Sequence, residues 1–490
     1  MSEPFDQTDD PTGQQLQHTA TSAPSVYPLS YGQQALWYTH QLAPDSPAYN
    51  TAFVTRITSP VDVTALRQAW QALLHRHTAL RTTFTLRDGE PVQEVHESQQ
   101  IDFVHVNTSS CSDAEIAERV RTAYRQPFDL AQGPLCRVRV FTQTPHHHIL
   151  LFVAHHIVID AWSQWRLLEE LRLLYSALLT QAAATLPPLP RPYHDYVQWQ
   201  ADMLHRKGER LWGYWREQLA GELPPLSLPT DRPRPRRQTF HGASAPMRLP
   251  TDLSQRLHSL ASEMRATVYQ LLLAAFEVLL HRYSAQDDFL VGSPAAGRTR
   301  PEFVGTVGHF VDMLVLRADM SGNPAFTTFL RQVRQTVFQA LLHQDYPFRL
   351  LVEHLKQRRD PSYSPLFQVA FAMDRPPQEL APLLREDAER RVEWGGLEFA
   401  PFEMGQQEGQ FDLTLLMIAG GNSLFGFLSY NTDLFDARTI ERMARHFHTL
   451  LEAIVSNPDQ HIDTLPLLTP AERQQILIEW NATETAYPTG

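Results

Sequence analysis

Two adjacent histidines and an aspartate four residues further on have the clearest chemical potential in the chain: His155, His156 and Asp160. Histidine is the side chain that most often moves protons in general acid–base catalysis, and a neighbouring group can fix its tautomer. In an extended segment successive side chains point to opposite faces, so the two histidines cannot easily bind one metal ion. Two interpretations stay open from this pattern alone: a proton-handling site, or histidines that satisfy hydrogen bonds in the core.

No other catalytic motif in the sequence competes with this segment. The chain contains neither a Gly-x-Ser-x-Gly nucleophile elbow nor a phosphate-binding Gly-x-x-x-x-Gly-Lys loop. The chemistry that remains is direct attack by an external nucleophile on an acyl group that is already activated.

Apolar runs on both sides predict that this segment lies between a strand and a helix. His148–Ala154 is almost continuously apolar, which predicts a strand buried on both faces. Ser163 is the expected N-cap of the helix that follows. The apolar face of that helix consists of Trp165, Leu168, Leu171, Tyr175 and Leu178. A histidine at such a junction can face a cavity while the strand and the capped helix hold it in place.

Helical and extended patterns alternate along the rest of the chain, which predicts a mixed α/β fold. Helical periodicity covers residues 62–81, 267–283, 326–343 and 437–455. Strand patterns cover residues 81–86, 289–291, 310–316, 367–373, 411–418 and 424–430. The two halves share a coarse order of strands and helices, as expected of a duplicated protein with two lobes.

Composition and charge argue against several classes of partner and site. The net charge of −12 argues against a nucleic-acid or anionic membrane surface as the main partner. No apolar run reaches the roughly 18–20 residues that span a bilayer. Cys111 and Cys136, the only cysteines, give neither a disulfide framework nor a thiolate zinc site. The polar stretch Met1–Ala23 lacks the features of a signal peptide, so we expect a cytoplasmic protein.

Seven segments, in order, resemble the motifs of the condensation domains of nonribosomal peptide synthetases. They are Leu29–Trp37, Arg76–Phe84, Ala154–Ser163, Tyr193–Trp199, Val307–Leu314, His343–Phe348 and Arg359–Leu366. The third resembles the family's core pattern His-His-x-x-x-Asp-Gly. Two C-terminal segments, Leu467–Arg473 and Trp480–Thr483, resemble the linker to a following adenylation domain. The whole set, rather than any one motif, identifies the chain as a member of this family.

The resemblance implies a fold of two chloramphenicol-acetyltransferase-like lobes in a V-shaped pseudo-dimer with a central tunnel. It also implies an enzyme that forms amides, in which a carrier-bound amine attacks a carrier-bound acyl or peptidyl thioester. The substrates would arrive on 4'-phosphopantetheine arms, with no covalently bound cofactor and no metal. The implied partners are a donor carrier protein, an acceptor peptidyl carrier protein and a downstream adenylation domain. Because no carrier domain precedes the first motif, we expect the donor carrier to be supplied in trans. Neither a nucleic acid nor a membrane is expected as a partner.

Proline-rich segments suggest how the chain is divided. Leu186–Pro192 cannot sustain a helix or a central strand, so we expect a lobe boundary there, and we expect Leu223–Arg237 to cross the surface as an ordered segment. The predicted division is a disordered N-terminal lead-in at 1–26, an N-terminal lobe with the His-His-Asp motif at 27–185, a C-terminal lobe including crossing segments at 186–466, and a linker toward an adenylation domain at 467–490.

The resemblance assigns unequal roles to the residues of the core segment. It implies that His156 faces the tunnel and acts as a general base or orients the attacking amine. A free α-amine has a pKa of about 7.7–8, so part of it is neutral at cytoplasmic pH. Positioning can then supply much of the acceleration while His156 collects the proton. We expect His155 to support the loop and Asp160 to pair with an arginine, either Arg81 or Arg298. The residues expected to support the same turn are Ala161, Trp162 and Ser163.

Three residues depart from the family's usual motifs. Ala161 stands where the core motif has glycine, and its methyl group is expected to narrow the space beside the catalytic histidine. Ala35 replaces an arginine of the first motif, and Asp312 replaces an asparagine of the fifth. The last two departures leave the substrate subtype open. The short region before the first motif contains no carrier domain, which leaves two interpretations open: a starter-type domain that N-acylates the first amino acid, or a domain fed by a polyketide module.

Other activities of the same superfamily fit the sequence less well. An epimerisation domain would need an acidic Glu-His-Gly-Arg-type motif, and Gly292–Pro301 has no glutamate. A heterocyclisation domain would carry an Asp-x-x-x-x-Asp pattern instead of the histidines. A stand-alone acyltransferase explains the core segment but not the sixth and seventh motifs. A non-catalytic domain that recruits carriers or a tailoring enzyme typically loses the second histidine. The last two stay as alternatives.

Overall fold

Two six-stranded mixed sheets, each covered by helices, form the two lobes of the protein. The computed structural model describes residues 23–189, 191–356, 360–384, 391–402, 404, 408–421 and 423–482. Within these residues the strands are β1 Ser25–Pro28, β2 Asn50–Ile57, β3 Thr82–Arg87, β4 Glu90–Val95, β5 Asp102–Asn107, β6 Cys136–Thr144, β7 His147–His155, β8 Gly242–Arg248, β9 Asp288–Ala295, β10 Asp312–Asp319, β11 Val369–Asp374, β12 Val392–Trp394, β13 Leu397–Ala400, β14 Leu413–Gly420 and β15 Ser423–Asn431. The helices are α1 Tyr31–Leu42, α2 Val63–Arg76, α3 Asp113–Arg125, α4 Ala161–Leu179, α5 Tyr193–Gln218, α6 Thr251–Glu263, α7 Val268–Ser284, α8 Phe326–Leu342, α9 Phe348–Leu355, α10 Ala437–Ser456 and α11 Pro470–Gln474.

The same run of four strands occurs in both sheets. It is β2-β7-β6-β5 in the first sheet and β8-β15-β14-β11 in the second. In each run the first three strands are antiparallel neighbours and the last two are parallel. A helix follows the first strand and another follows the second strand: α2 and α4 in the first lobe, α6 and α10 in the second. The expected duplication and the mixed α/β class are therefore confirmed in the sheet topology.

Strand β7 leads directly to the His-His-Asp segment, and both of its faces are buried as predicted. Leu150 and Phe152 lie in one apolar cluster, where the Phe152 ring stacks on Trp70 of α2 at 4.5 Å between ring centroids. Leu151 and Val153 lie in the cluster on the other face. A register slip would exchange these two sets of side chains, so the packing fixes where the strand ends.

Three helices of the second lobe, α7, α8 and α10, begin and end within a residue or two of their predicted limits. α7 is buried nearly all round, and Thr267 caps its first turn by accepting a hydrogen bond from the backbone N–H of Gln270. α8 and α10 each bury one apolar face. Their periodicity is long enough to be read without tertiary information.

The predicted helix over 62–81 is divided in the structure. α2 ends at Arg76, and a 3₁₀ turn covers Thr78–Arg81. His77 between them is extended, and its buried ring makes a 2.8 Å hydrogen bond with Glu170 of α4. The helix therefore stops where a tertiary contact holds the backbone in another conformation.

The predicted end of the disordered N-terminal lead-in, at residue 26, is wrong. β1 begins at Ser25 and pairs antiparallel with β4, so that Ser25 lies opposite Val95. Most of its side chains are exposed, so it has little apolar pattern of its own, and its order depends on a partner strand far along the chain. Residues 1–22 of that lead-in lie outside the described residues.

One part of residues 186–466 crosses back to the first lobe. β12 and β13 extend the first sheet beyond β2, with Phe399 opposite Ile57. The rings of Trp394 and Phe399 stack at 4.6 Å, and both belong to the core that contains Phe53. A boundary at residue 186 therefore separates the lobes along the chain but not in space.

Candidate active site

The candidate site lies in the turn between β7 and α4. β7 ends at His155 and α4 begins at Ala161. The backbone N–H of His156 donates to the carbonyl of Tyr49 at 2.8 Å, and the N–H of Val158 donates to the carbonyl of His155 at 3.1 Å. Strand and turn hydrogen bonds therefore hold the backbone on both sides of His156.

Asp160, and not Ser163, is the N-cap of α4, so the predicted cap is wrong. The Oδ1 atom of Asp160 accepts a 2.8 Å hydrogen bond from the backbone N–H of Ser163, the third residue of the helix. An aspartate suits this position because it satisfies an unpaired N–H of the first turn. Ala161, which replaces the glycine of the family pattern, is the first residue of α4. Because a helical backbone does not require glycine, alanine is tolerated there, and its side chain is exposed.

The carboxylate of Asp160 also forms a buried ion pair with Arg298 of the second lobe. Its oxygens lie 2.7 and 3.1 Å from the guanidinium nitrogens, and the backbone N–H of Phe310 donates to it at 3.0 Å. Both paired side chains are less than 5% exposed. Burial raises the pKa of Asp160, but the charge of Arg298 and the hydrogen bonds from Arg298 and Ser163 outweigh it, and the pKa lies below its usual value.

Arg298 was one of two candidates for this pairing, and the other, Arg81, is wrong. The guanidinium of Arg81 donates to the backbone carbonyl of His96 within the first lobe. Arg81 ends the 3₁₀ turn before β3, whereas Asp160 faces the second lobe. The sequence offered no information about which arginine the other lobe brings to the turn.

Ser163 and Trp162 tie the same turn to the loop before β10. The Ser163 hydroxyl donates to the carbonyl of Gly308 at 3.0 Å and accepts from the Gly308 N–H at 3.1 Å and from Arg298 at 2.7 Å. The indole N–H of Trp162 donates to the carbonyl of Val304 at 2.9 Å. These residues join the two lobes at the site.

His155 points into the core of the first lobe. Its Nδ1 atom accepts a 3.1 Å hydrogen bond from the backbone N–H of Ile157, which closes the turn. Its ring meets His40 and Phe128 edge to face. Burial, and secondarily the neighbouring histidines, lower the pKa of His155 well below its usual value, so the ring is a neutral acceptor.

His156 is partly exposed, and its ring meets a second histidine. The Nδ1 atoms of His156 and His309 lie 3.2 Å apart, and the two rings are nearly perpendicular. Among the described residues no hydrogen bond is found to the Nε2 atom of His156. This nitrogen is therefore available to a substrate.

Comparison of the sequence with known protein families identifies the same family as the motifs. The family model of the condensation domain matches residues 24–477. A linear gramicidin synthase of Brevibacillus parabrevis is 44% identical over 470 residues, which cover 94% of this chain and 9% of that protein.

The chain belongs to the condensation-domain family.

Solved structures place this condensation domain among nonribosomal peptide synthetases. A four-domain synthetase bound to AMP and glycine superposes with a TM-score of 0.85 at 26% identity, over 93% of this chain and 35% of that one. The complex of the X-domain and OxyB from teicoplanin biosynthesis gives a TM-score of 0.79 at 25% identity, over 92% of this chain and 98% of that chain. The predicted chloramphenicol-acetyltransferase-like fold is thus confirmed, whereas the V shape and the tunnel stay predictions.

Three motifs of the condensation domain converge on the core segment. The Tyr193 hydroxyl, from the fourth motif, donates to the carbonyl of His309 at 2.5 Å and lies 2.9 Å from the hydroxyl of Ser30 in the first motif. The Gln33 side chain, also from the first motif, donates to the carbonyl of Ile157 at 3.3 Å. The motifs therefore supply contacts that hold the His-His-Asp turn, although they are far apart in sequence.

Asp312 links the fifth and sixth motifs. Its carboxylate accepts hydrogen bonds from the backbone N–H groups of Met313 at 2.8 Å and Phe348 at 3.0 Å. Burial outweighs these bonds and raises the pKa of Asp312 to about 6. The seventh motif begins at Arg359, which lies outside the described residues.

Sequence reasoning missed His309 as a site residue. The segment Val307–Leu314 was assigned to the fifth motif, but nothing in its order along the chain says that His309 meets His156. A histidine inside a motif of this family was the available signal.

Within the described residues no cluster of three or more potential ligands could hold a metal ion, and no helix is long and apolar enough to cross a membrane.

Proposed function

We propose that this condensation domain forms an amide by attack of a carrier-bound aminoacyl amine on a carrier-bound acyl or peptidyl thioester. The observation that carries the proposal is the geometry of His156. Its ring is held at a rigid strand-to-helix turn, is partly exposed, and has its Nε2 atom available among the described residues. A general base must combine access to substrate with a fixed position.

In the proposed reaction, His156 holds the amine and then moves one proton. The neutral amine attacks the thioester carbon, and a C–N bond forms in a tetrahedral intermediate. The surplus proton on nitrogen passes to Nε2 of His156. The C–S bond then breaks, and His156 passes the proton to the sulfur of the departing phosphopantetheine thiolate. Because part of the amine is neutral near pH 7, orientation supplies much of the acceleration.

Asp160 acts as a structural residue in this scheme. Its two oxygens are occupied by Ser163, Arg298 and Phe310, and the helix that it caps fixes the end of the catalytic turn. His155 closes the same turn through Ile157. Catalysis by proton transfer is therefore assigned to His156, with His155 and Asp160 as its support.

The substrates and partners follow from the same proposal. The curated relative that it resembles is a synthetase of which the chain spans 9%, so carriers and an adenylation domain would act from outside this segment. Phosphopantetheine arms of a donor carrier, supplied in trans, and of an acceptor carrier would enter from opposite ends of a tunnel between the lobes. A starter-type domain and a domain fed by a polyketide module fit equally well.

A second candidate is a domain that recruits another protein. It is favoured by the likeness to the X-domain, which was solved in complex with OxyB. The complete turn argues for catalysis instead, because both histidines and the buried Asp160–Arg298 pair are present. A recruitment surface would not require this arrangement.

Amide formation on a carrier separates the candidates. The protein is mixed with a donor carrier bearing short-chain acyl, long-chain acyl or peptidyl groups and with an aminoacyl-loaded acceptor carrier, and the acceptor is weighed by intact mass spectrometry. We expect the mass of the amide product with at least one donor, and its loss in His156→Ala. Folded protein that binds both carriers but yields no amide with any donor would falsify the enzyme proposal. Equal acylation of free amino acids would favour a stand-alone acyltransferase.

A further inference from the structure

We propose that His309 is a positioning residue for the reaction, because it accepts a hydrogen bond from the Nδ1–H of His156 and so directs the Nε2 lone pair toward the amine. This inference rests on the proposed function. It concerns a residue from the second lobe that acts on the catalytic histidine of the first.

The contact between the rings requires one shared proton. The two Nδ1 atoms are 3.2 Å apart, the ring centroids are 5.1 Å apart and the ring planes are nearly perpendicular, so the two rings approach each other through these nitrogens. A nitrogen that already carries hydrogen cannot take a proton from the amine. The proposed reaction therefore needs the proton of neutral His156 on Nδ1, with the lone pair of His309 Nδ1 as its acceptor.

The surroundings hold His309 in one place. Its backbone carbonyl accepts from the Tyr193 hydroxyl, and the next residue, Phe310, donates its N–H to Asp160. On the far side of the ring, a Cβ atom at Gly32 would lie 3.0 Å from Cδ2 of His309. The ring is thus fixed by its backbone on one side and by α1 on the other.

The environment also keeps His309 neutral. Burial lowers its pKa to about 3, and the charges of His156 and Arg298 add to the shift, while Asp160 and a hydrogen bond with the His156 backbone oppose it. A neutral acceptor suits the intermediate, in which His156 carries both ring protons. Its Nδ1–H can continue to donate to His309 without a second positive charge beside it.

Two isosteric substitutions and a double-mutant cycle test the proposal under saturating carriers. The amide oxygen of His309→Asn lies near the position of Nδ1, whereas the amide of His309→Gln lies near Nε2. We expect His309→Leu and His309→Gln to lower kcat by about tenfold or more, the value of roughly one hydrogen bond, with KM for both carriers nearly unchanged. His309→Asn should recover most of the rate, and the exposed control His205→Leu should leave it unchanged.

The cycle distinguishes action through His156 from a structural role. In the His156→Ala protein, His309→Leu should cause no further loss of rate. An equal loss in both backgrounds, or a His309→Leu rate close to that of the wild type, would overturn the inference while amide formation by the wild type upholds the proposed function. Should the leucine variant not fold, equal rates for the Asn and Gln variants would overturn it. A wild type that forms no amide contradicts the proposed function itself.

Discussion

The two lobes contain the same strand-to-helix junction, but only the junction of the first lobe is buried against the other lobe. β7 and α4 in the first lobe correspond to β15 and α10 in the second, and in both lobes the helix begins six residues after the last residue of the strand. An aspartate is the N-cap in both, followed by alanine. The matched positions are His155 with Asn431, His156 with Thr432, Asp160 with Asp436, Ala161 with Ala437 and Ser163 with Thr439.

The junctions differ in what surrounds the aspartate. Asp160 is 3% exposed and pairs with Arg298, which the other lobe supplies. Asp436 is 54% exposed and pairs with Arg232, a half-exposed residue of a surface crossing. Thr439 bonds to Asp231 of the same crossing. The backbone junction is therefore common to both lobes, whereas the buried ion pair with Arg298 and the contact with His309 depend on the other lobe.

Removal of the aspartates at the two N-cap positions, of which only Asp160 makes the side-chain cap bond, should give the largest difference between the junctions. We expect Asp160→Ala to lower the free energy of unfolding by about 3–5 kcal/mol, because Arg298 is left buried without its partner. Asp436→Ala should cost at most about 1 kcal/mol, since both members of that pair are hydrated. Urea unfolding followed by tryptophan fluorescence measures both. Equal losses would show that burial does not separate the junctions.

Asp312, the first residue of β10, predicts a pH dependence of stability. Its folded pKa of about 6 lies above the unfolded value of about 3.9. The folded protein therefore binds this proton more tightly, and stability falls as pH rises from about 4 to about 6. The carboxylate is partly exposed, so we expect a fall of about 1–2 kcal/mol relative to Asp312→Asn. Parallel curves for the two proteins across this range would contradict the prediction.

Removal of the matched hydroxyl groups, those of Ser163 and Thr439, should give a smaller difference in the loss of stability. Ser163→Ala removes contacts to Gly308 and Arg298 in a buried place, which should cost about 1–2 kcal/mol. Thr439→Ala loses the hydrogen bond to Asp231 and a long one from Arg442, both in a partly buried place, and should cost about 0.5–1 kcal/mol. Thermal unfolding of both variants provides the measurement. A larger loss at Thr439 would reverse the order that burial predicts.

The smallest expected effect is at Gly32, beside the His309 ring. Gly32→Ala adds a methyl group that must displace the ring by a few tenths of an ångström, so we expect kcat to fall about two- to threefold. Gly213→Ala is the control, because nothing lies within 4 Å of its added Cβ. A rate for Gly32→Ala equal to that of Gly213→Ala would show that the ring tolerates this displacement.

Features with a strong local pattern could be predicted from the sequence. α7, α8 and α10 have apolar periodicity over several turns, and β7 is a long apolar run. The His-His-Asp segment could be recognised because its residues are close in sequence. These elements needed no information about distant contacts.

Features that depend on tertiary contacts could not be predicted. Arg298 rather than Arg81 is the partner of Asp160, because the second lobe brings Arg298 to the turn. β1 and β12–β13 are ordered by strands far away in sequence. His309 lies 153 residues from His156, and its role depends on a contact that no local pattern encodes.

Under the proposed function, the buried junction catalyses amide formation and the exposed one does not. The most direct measurement is the single-turnover rate of amide formation between loaded carriers for the wild type, His156→Ala and Thr432→Ala. We expect His156→Ala to lose at least about a hundredfold, as for a lost general base, and Thr432→Ala to retain the wild-type rate. A His156→Ala protein that remains folded and as active as the wild type would contradict the account.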